Sequence, residues 1–306
     1  MPAQCSRRQL LAAAGSVAAT AAAPPHILTI DAHIHLFDPA RFPFHPNATY
    51  RPPPQPLEPY SKFVKQAKID HTVLVHPEPY QDDHRYLEYC FAHEPSPGFF
   101  KGTCLFDPID PQTPARIRAL AERNPGRIVA LRIHEMRKPG TPPTTSGAIH
   151  DRDLKSPAMR ETWRHVYQLG LAIQMHFIPY YAPQIGALAA QFPAMPVILD
   201  HLARAGQGTR AEYAEVLKLA RLPRVYMKLS ALEYSSRQPF PYRDAKPLVR
   251  QACDAFGADR MIWGGLGHSL AEFKQQSELF DYMLDFLSGA DRAKIRGLNA
   301  ATLFHF

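Results

Sequence analysis

Two histidines two residues apart, His33 and His35, are the first chemical signal in the chain. The segment Thr29-Ile30-Asp31-Ala32-His33-Ile34-His35 alternates with period two. As a strand it sets Thr29, Asp31, His33 and His35 on one face and Ile30, Ala32 and Ile34 on the other. Two imidazoles pointing the same way can hold a divalent metal or move protons. Further along, His134, His176 and His201 stand at or near the ends of apolar runs, and Arg132 and Lys228 lie inside two such runs. An inward cation of this kind needs an anionic partner.

The elements that must position these groups are short apolar strands alternating with amphipathic helices. The strand-like segments are 29–35, 72–76, 99–105, 127–134, 171–177, 197–201, 224–230 and 260–266, each pair separated by a helix-length pattern. Helices are predicted over 60–68, 84–93 and 269–287, with a shorter one ending at Phe304. Eight repeats of strand and helix require a parallel sheet. Their comparable length predicts an α/β fold of the closed (β/α)8 TIM-barrel type.

A barrel constrains which residues share a face, because inward side chains keep one parity and polar groups collect at the strands' C-terminal ends. The fourth segment sets Ala130, Arg132 and His134 against Val129, Leu131 and Ile133. The fifth sets Ala172, Gln174 and His176 against Ile173, Met175 and Phe177, and the seventh sets Tyr226, Lys228 and Ser230 against Val225, Met227 and Leu229. Polar groups end each inward set. In the last segment the same parity places Leu266 inward.

At 306 residues, with 45% hydrophobic and 21% charged residues, the chain can bury one large core. The 31 prolines cluster between apolar runs and read as rigid loops. Long loops follow the first, fourth and seventh strands; the first contains Phe42, Phe44, His45, Tyr50 and Arg51, and the others lie around 138–146 and 235–247. Such loops belong to the catalytic face of a barrel.

The N-terminus reads as an address. Ser6-Arg7-Arg8-Gln9-Leu10-Leu11 precedes an alanine-rich stretch ending at Ala23 and then Pro24-Pro25, the layout of a twin-arginine signal peptide over residues 1–23. The barrel domain is then 24–306, exported to the periplasm or secreted. The apolar stretch is too short for stable membrane insertion. Without residues 1–23 the chain keeps 33 Lys and Arg against 28 Asp and Glu, a balance of +5. That modest basicity suits a small anionic substrate, and no basic run with interleaved aromatics points to nucleic acid. Cys90, Cys104 and Cys253 remain, an odd set without metal spacing, expected as free structural thiols.

The motifs Asp31-Ala32-His33-Ile34-His35-Leu36-Phe37, Leu199-Asp200-His201-Leu202, Val225-Tyr226-Met227-Lys228-Leu229-Ser230 and Arg260-Met261-Ile262-Trp263-Gly264 resemble the amidohydrolase-related family over roughly 28–306. That group includes sugar lactonases and a pyrone dicarboxylate hydrolase. The resemblance implies a metal site at His33, His35 and His176, with His201 as the sixth-strand imidazole. Zn²⁺ is the first choice for such a site, and metal-independent activity is open as well, since some relatives work without metal. Where the family carries a last-strand Asp as ligand and proton acceptor, this chain has Leu266 in the turn Gly265-Leu266-Gly267. The remodelled turn predicts apolar packing closed around Leu266. The replacement proton acceptors are His201, His134 and His268, with Asp31 deeper on the inward face. Arg132, Lys228 and Arg204 are the substrate-binding candidates.

Together these features predict a hydrolase of a small anionic lactone, ester or amide, using an imidazole cluster at the barrel mouth. A metal-dependent decarboxylase of an aromatic or pyrone carboxylic acid is one rival, and a noncatalytic ligand-binding barrel is the other.

Overall fold

The computed structural model of the chain describes residues 26–138, 140–141 and 153–306. The expected signal peptide at residues 1–23, and part of the loop around 138–146, lie outside the described residues. All eight expected strands form: β1 (Ile30–Ile34), β2 (His71–Val75), β3 (Phe100–Leu105), β4 (Ile128–Glu135), β5 (Ala172–Phe177), β6 (Val197–Leu199), β7 (Val225–Leu229) and β8 (Met261–Trp263). Each is parallel to the next, in sequence order. The helices α1 (Leu57–Ala67), α2 (Arg85–Ala92), α3 (Thr113–Arg123), α4 (Pro157–Gln168), α5 (Ala182–Ala189), α6 (Arg210–Lys218), α7 (Lys246–Phe256) and α8 (Leu270–Met283) follow the strands in turn. Short α9 (Gly289–Ala293) and α10 (Asn299–Phe304) close the chain. This is a nearly closed (β/α)8 barrel.

Local chemistry explains the elements. In α4 the Ser156 side chain accepts from Met159 N, Pro157 fills the first turn where no N–H is needed, and Met159, Trp163 and Val166 bury one face. Trp163 is fully buried, so its truncation to Ala would cost about 3–5 kcal/mol. Ile173, Met175 and Phe177 of β5 join the core between sheet and helices, whereas Ala172 belongs to the barrel interior. That interior is floored by Ile30, Ala32, Val73, Ala130, Ile198 and Ile262, and Ala300, Leu303 and Phe304 of α10 plug it from the N-terminal side. Chemistry is therefore confined to the other end. Among the described residues, no helix is long and apolar enough to cross a membrane.

One parity expectation fails in β1. Between Asp31 and Ile34 the pairing advances three residues on β1 against two on β2. The bulge breaks strict alternation: Ile30 and Ala32 join the interior floor, His33 still faces the mouth, and Asp31 leaves the shared face. Its carboxylate accepts from the backbone N–H groups of His33 and Gly265 instead.

Candidate active site

A cavity of about 530 Å³ opens at the C-terminal ends of the strands. His33 and His35 from β1, Arg132 and His134 from β4, His176 from β5, and His201 just after β6 line it, with Leu266 following β8. Phe37, Thr49, Tyr50, Glu78, Ala231, Glu233 and Tyr234 complete the wall. Five histidines thus converge in one cavity. The ring centres of His33 and His201 lie 4.5 Å apart, those of His176 and His201 5.0 Å, and those of His134 and His176 4.9 Å.

Beneath the cavity lies an ionic core. Asp200 Oδ2 accepts from Arg132 Nε and from Gln174 Nε2, each at 3.0 Å. Asp200 Oδ1 stands 3.1 Å from Lys228 Nζ and 3.7 Å from His33 Nδ1. Burial alone would push the Asp200 carboxyl up, but Lys228 and Arg132 hold it well below the usual carboxylate range. Held between two cations, it is a fixed anion that does not readily accept a proton. Burial holds His33, His134, His176 and His201 well below the ordinary histidine value, with Arg132 or Lys228 pressing the same way, and takes His35 down to about 3. At neutral pH the cluster is uncharged, and each ring keeps one nitrogen lone pair.

His201 owes its place to backbone geometry. His201, Leu202, Ala203 and Arg204 all have φ between +50° and +56°, a left-handed turn of non-glycine residues. Such geometry costs roughly 1–2 kcal/mol per residue and persists at functional sites. The turn lets Asp200 and His201, adjacent in sequence, both serve the barrel mouth. His201 Nδ1 meets Ser230 Oγ at 2.9 Å, and Nε2 faces an Arg132 guanidinium N–H at 3.5 Å. The same turn carries Arg204 across, so that its NH1 donates to His176 Nε2 at 2.9 Å while its guanidinium lies over the Tyr234 ring at 3.8 Å.

The donor set fits a metal. His35 Nδ1 donates to the Val75 carbonyl at 2.6 Å, which leaves the ring's lone pair on Nε2. That atom stands 3.3 Å from His33 Nε2. Two nitrogens each about 2.0–2.1 Å from a tetrahedral zinc ion are separated by about 3.3–3.4 Å, so the pair has the spacing of two ligands of one ion. Among the described residues, His33, Asp200 and His201 also bring a ligand atom each within 4.8 Å of one another.

The structure brings His33, His35, His176, His201, His134 and Arg132 together at the cavity. Three other candidates stand elsewhere. Lys228 is fully buried in the ionic core, away from the cavity wall. Arg204 is not among the residues lining the cavity and meets His176 Nε2 instead. His268 turns its ring toward Tyr60, with centres 5.8 Å apart. Leu266 is partly exposed on the cavity wall and absent from the packed core, so apolar packing has not closed around it. Of the first long loop, Phe42 and Phe44 pack on the core, and Tyr50 lines the cavity. Asp200 was not picked out by parity, because a strand alternating through His201 places only one of the two inward. Glu78, Glu233 and Tyr234 sit on loop turns that carry no periodic signal. Cys90, Cys104 and Cys253 are free and buried.

Barrel, mouth-side imidazole cluster and buried Asp–Lys–Arg core define a barrel enzyme whose mouth-side donor set could hold a metal. The Amidohydrolase family description matches residues 30–306, and the chain belongs to that family. It is 25% identical over 292 residues to the 4-sulfomuconolactone hydrolase of Hydrogenophaga intermedia, covering 90% of this chain and 88% of that protein. It is 29% identical over 245 residues to the L-fucono-1,5-lactonase of Burkholderia ambifaria, covering 77% and 78%. A solved structure from Acinetobacter baumannii, called a probable 2-pyrone-4,6-dicarboxylic acid hydrolase and holding citric acid, superposes with a TM-score of 0.74 at 18% identity, covering 91% of this chain and 99% of that one. The protein is a hydrolase of this family.

Proposed function

We propose that this enzyme opens a small anionic lactone by hydrolysis at the mouth of the barrel. The observation that carries the reading is the set of neutral, converging imidazoles in a cavity of about 530 Å³, a volume suited to a small-molecule substrate. The names of the two curated relatives, both lactone hydrolases, support it.

His201 is the proton acceptor in this reading. Arg132 can only donate, so the His201 Nε2 it faces is the lone-pair nitrogen, and Nδ1 carries the proton toward Ser230. A water beside Nε2 attacks the lactone carbonyl carbon, the C=O electron pair moves to oxygen, and Nε2 takes the water proton. The tetrahedral intermediate collapses with loss of the ring oxygen, which takes that proton back and becomes the hydroxyl of the product acid. Arg132 also presents its guanidinium edge to the anionic group of the substrate. A divalent metal, if bound, would be held by His33 and His35 with Asp200 or His201 near, and would polarise the carbonyl or lower the pKa of water.

The test is a substrate panel of an aldonolactone, a muconolactone, a pyrone dicarboxylate and a dihydroxybenzoic acid, followed by proton release and by CO₂. Lactone opening with proton release and no CO₂ is expected, with His201→Asn lowering kcat about 10²–10⁴-fold. Release of CO₂ from the aromatic acid alone would establish the decarboxylase instead. Tight binding with no turnover of any member would establish a binding barrel.

A further inference from the structure

Resting on the lactonase reading, we propose that Glu78 restricts the substrate to a lactone with a single anionic group, by setting a carboxylate on the side of the cavity that a second anionic group would have to enter.

Strand order fixes where the charges stand. The barrel runs from β1 to β8 in sequence, so β4 lies across from β8, with β1 beside β8. Arg132, from β4, is the one Lys or Arg among the described residues that line the cavity. Its Nε is already given to Asp200, and its remaining N–H donors can hold one anionic group. Lys228 adds nothing to this side of the balance, because it is paired with Asp200 beneath the cavity.

The opposite wall is built differently. Leu266 follows β8, Glu78 follows β2 and Glu233 follows β7, so two carboxylates flank the β8–β1 side. His33 and His35 between them are uncharged at neutral pH, since burial holds both below the ordinary histidine value. A ring held at Arg132 by one carboxylate turns its far end toward this wall. Hydroxyl or ether oxygens meet no penalty there, whereas a second carboxylate meets like charge.

Of the two carboxylates, Glu78 is the fixed one. Glu233 is exposed, whereas Glu78 is 4% exposed. The Thr49 N–H donates to both Glu78 oxygens, at 3.1 and 3.2 Å, and Gln81 Nε2 donates to Oε1 at 2.7 Å. These donors favour the charged form. Burial raises the carboxyl, with Thr49, Gln81 and His45 pulling against it. A buried charge is weakly screened, so it repels another anion across the cavity without touching it.

Equilibrium binding tests the selection without turnover. Furan-2-carboxylate and furan-2,5-dicarboxylate share a ring and differ by one carboxylate. Calorimetry of each with the full chain at pH 7, at one metal content checked by elemental analysis, gives the ratio of their affinities. Wild type should prefer the monocarboxylate by about tenfold or more. Glu78→Gln keeps an oxygen for the Thr49 N–H and removes the charge; it should close most of that gap while leaving the monocarboxylate affinity within about threefold. Leu266→Arg, which puts a cation on the same wall, should also narrow the gap, and it serves if Glu78→Gln does not fold. Equal wild-type affinities, a gap unmoved by Glu78→Gln, or a larger effect from Glu233→Gln would overturn the inference. In kinetics, Glu78→Gln should raise kcat/KM for a pyrone dicarboxylate about tenfold and leave that for a muconolactone unchanged. If no lactone turns over but the binding gap depends on Glu78, the lactonase reading has failed and the charge selection stands. If lactones turn over and wild type opens the dicarboxylate as readily as the muconolactone, the selection has failed.

Discussion

Asp31 Oδ1 accepts the backbone N–H of Gly265 at 2.8 Å and that of His33 at 2.9 Å, so one carboxylate joins the strand that carries the histidine pair to the segment just after β8. Close packing accompanies this bond. A Cβ on Gly264 would come within 2.6 Å of His33 Cβ, and one on Gly265 within 2.5 Å of the Trp263 ring. The glycines let first and last strand approach, and the approach fixes where His33 stands.

Replacing Asp31 by Ala leaves two buried N–H groups without an acceptor, so a loss of about 2–5 kcal/mol is expected in denaturant unfolding. Asp31→Asn keeps an oxygen acceptor without a charge. Burial raises the Asp31 carboxyl to about 6 against the pull of those two N–H groups, so Asn should lose much less. Equal losses for both variants would show that the backbone bonds are not what the carboxylate provides.

Two buried histidines should make stability fall with acid below pH of about 6.5, against the opposite pull of Asp31, whose carboxyl is raised to about 6. Burial takes His76 and His268 down to about 4, and His76 Nε2 bonds the Gln81 carbonyl. The fold prefers the neutral rings. Above pH of about 6.5 both states are neutral and this contribution is fully present; between about 6.5 and 4 the unfolded chain binds protons that the fold refuses, and stability drops. For His76 the loss is on the order of 2 kcal/mol at pH 5. Unfolding curves at pH 7, 6 and 5 check this, and His76→Gln should flatten the decline.

Leu266→Asp should be tolerated and should raise metal affinity. Leu266 has φ of 59° and is partly exposed on the wall it shares with His33 and His35. Asp adopts that backbone region more readily than Leu, and the side chain enters no closed apolar pocket. A stability change within about 1 kcal/mol and at least tenfold tighter Zn²⁺ binding are expected. Thermal unfolding and metal titration decide; a large loss of stability would mean that the cavity wall needs the leucine.

Export by the twin-arginine route is a proposal from Arg7, Arg8 and the short apolar stretch that follows. Arg7→Lys with Arg8→Lys should leave unprocessed protein in the cytoplasm, read by fractionation and mass. Normal maturation of that double variant excludes the route.

Much of this protein was legible in its sequence. Short apolar strands separated by helix-length segments predicted eight parallel strands, because a parallel neighbour needs a crossover connection of that length. The inward sets of β4, β5 and β7 followed from the same rule, and so did the mouth-side places of Arg132, His134 and His176. His33 and His35 reach the mouth as well, although the bulge in β1 moved Asp31 off their face. A bulge is one extra residue against a partner strand, and nothing in β1 alone records it.

Only the tertiary structure decided what the charged groups do. Lys228 reads from sequence as a cation for the substrate, yet it is spent on Asp200, because a buried ammonium takes the nearest fixed anion. Arg204 reads as a loop residue until the left-handed turn after β6 carries it to His176. Which nitrogen of a histidine holds the proton is set by the partner of the other nitrogen. That partner lies 28 residues away for His176 and 29 for His201, and only the closed barrel brings them into contact.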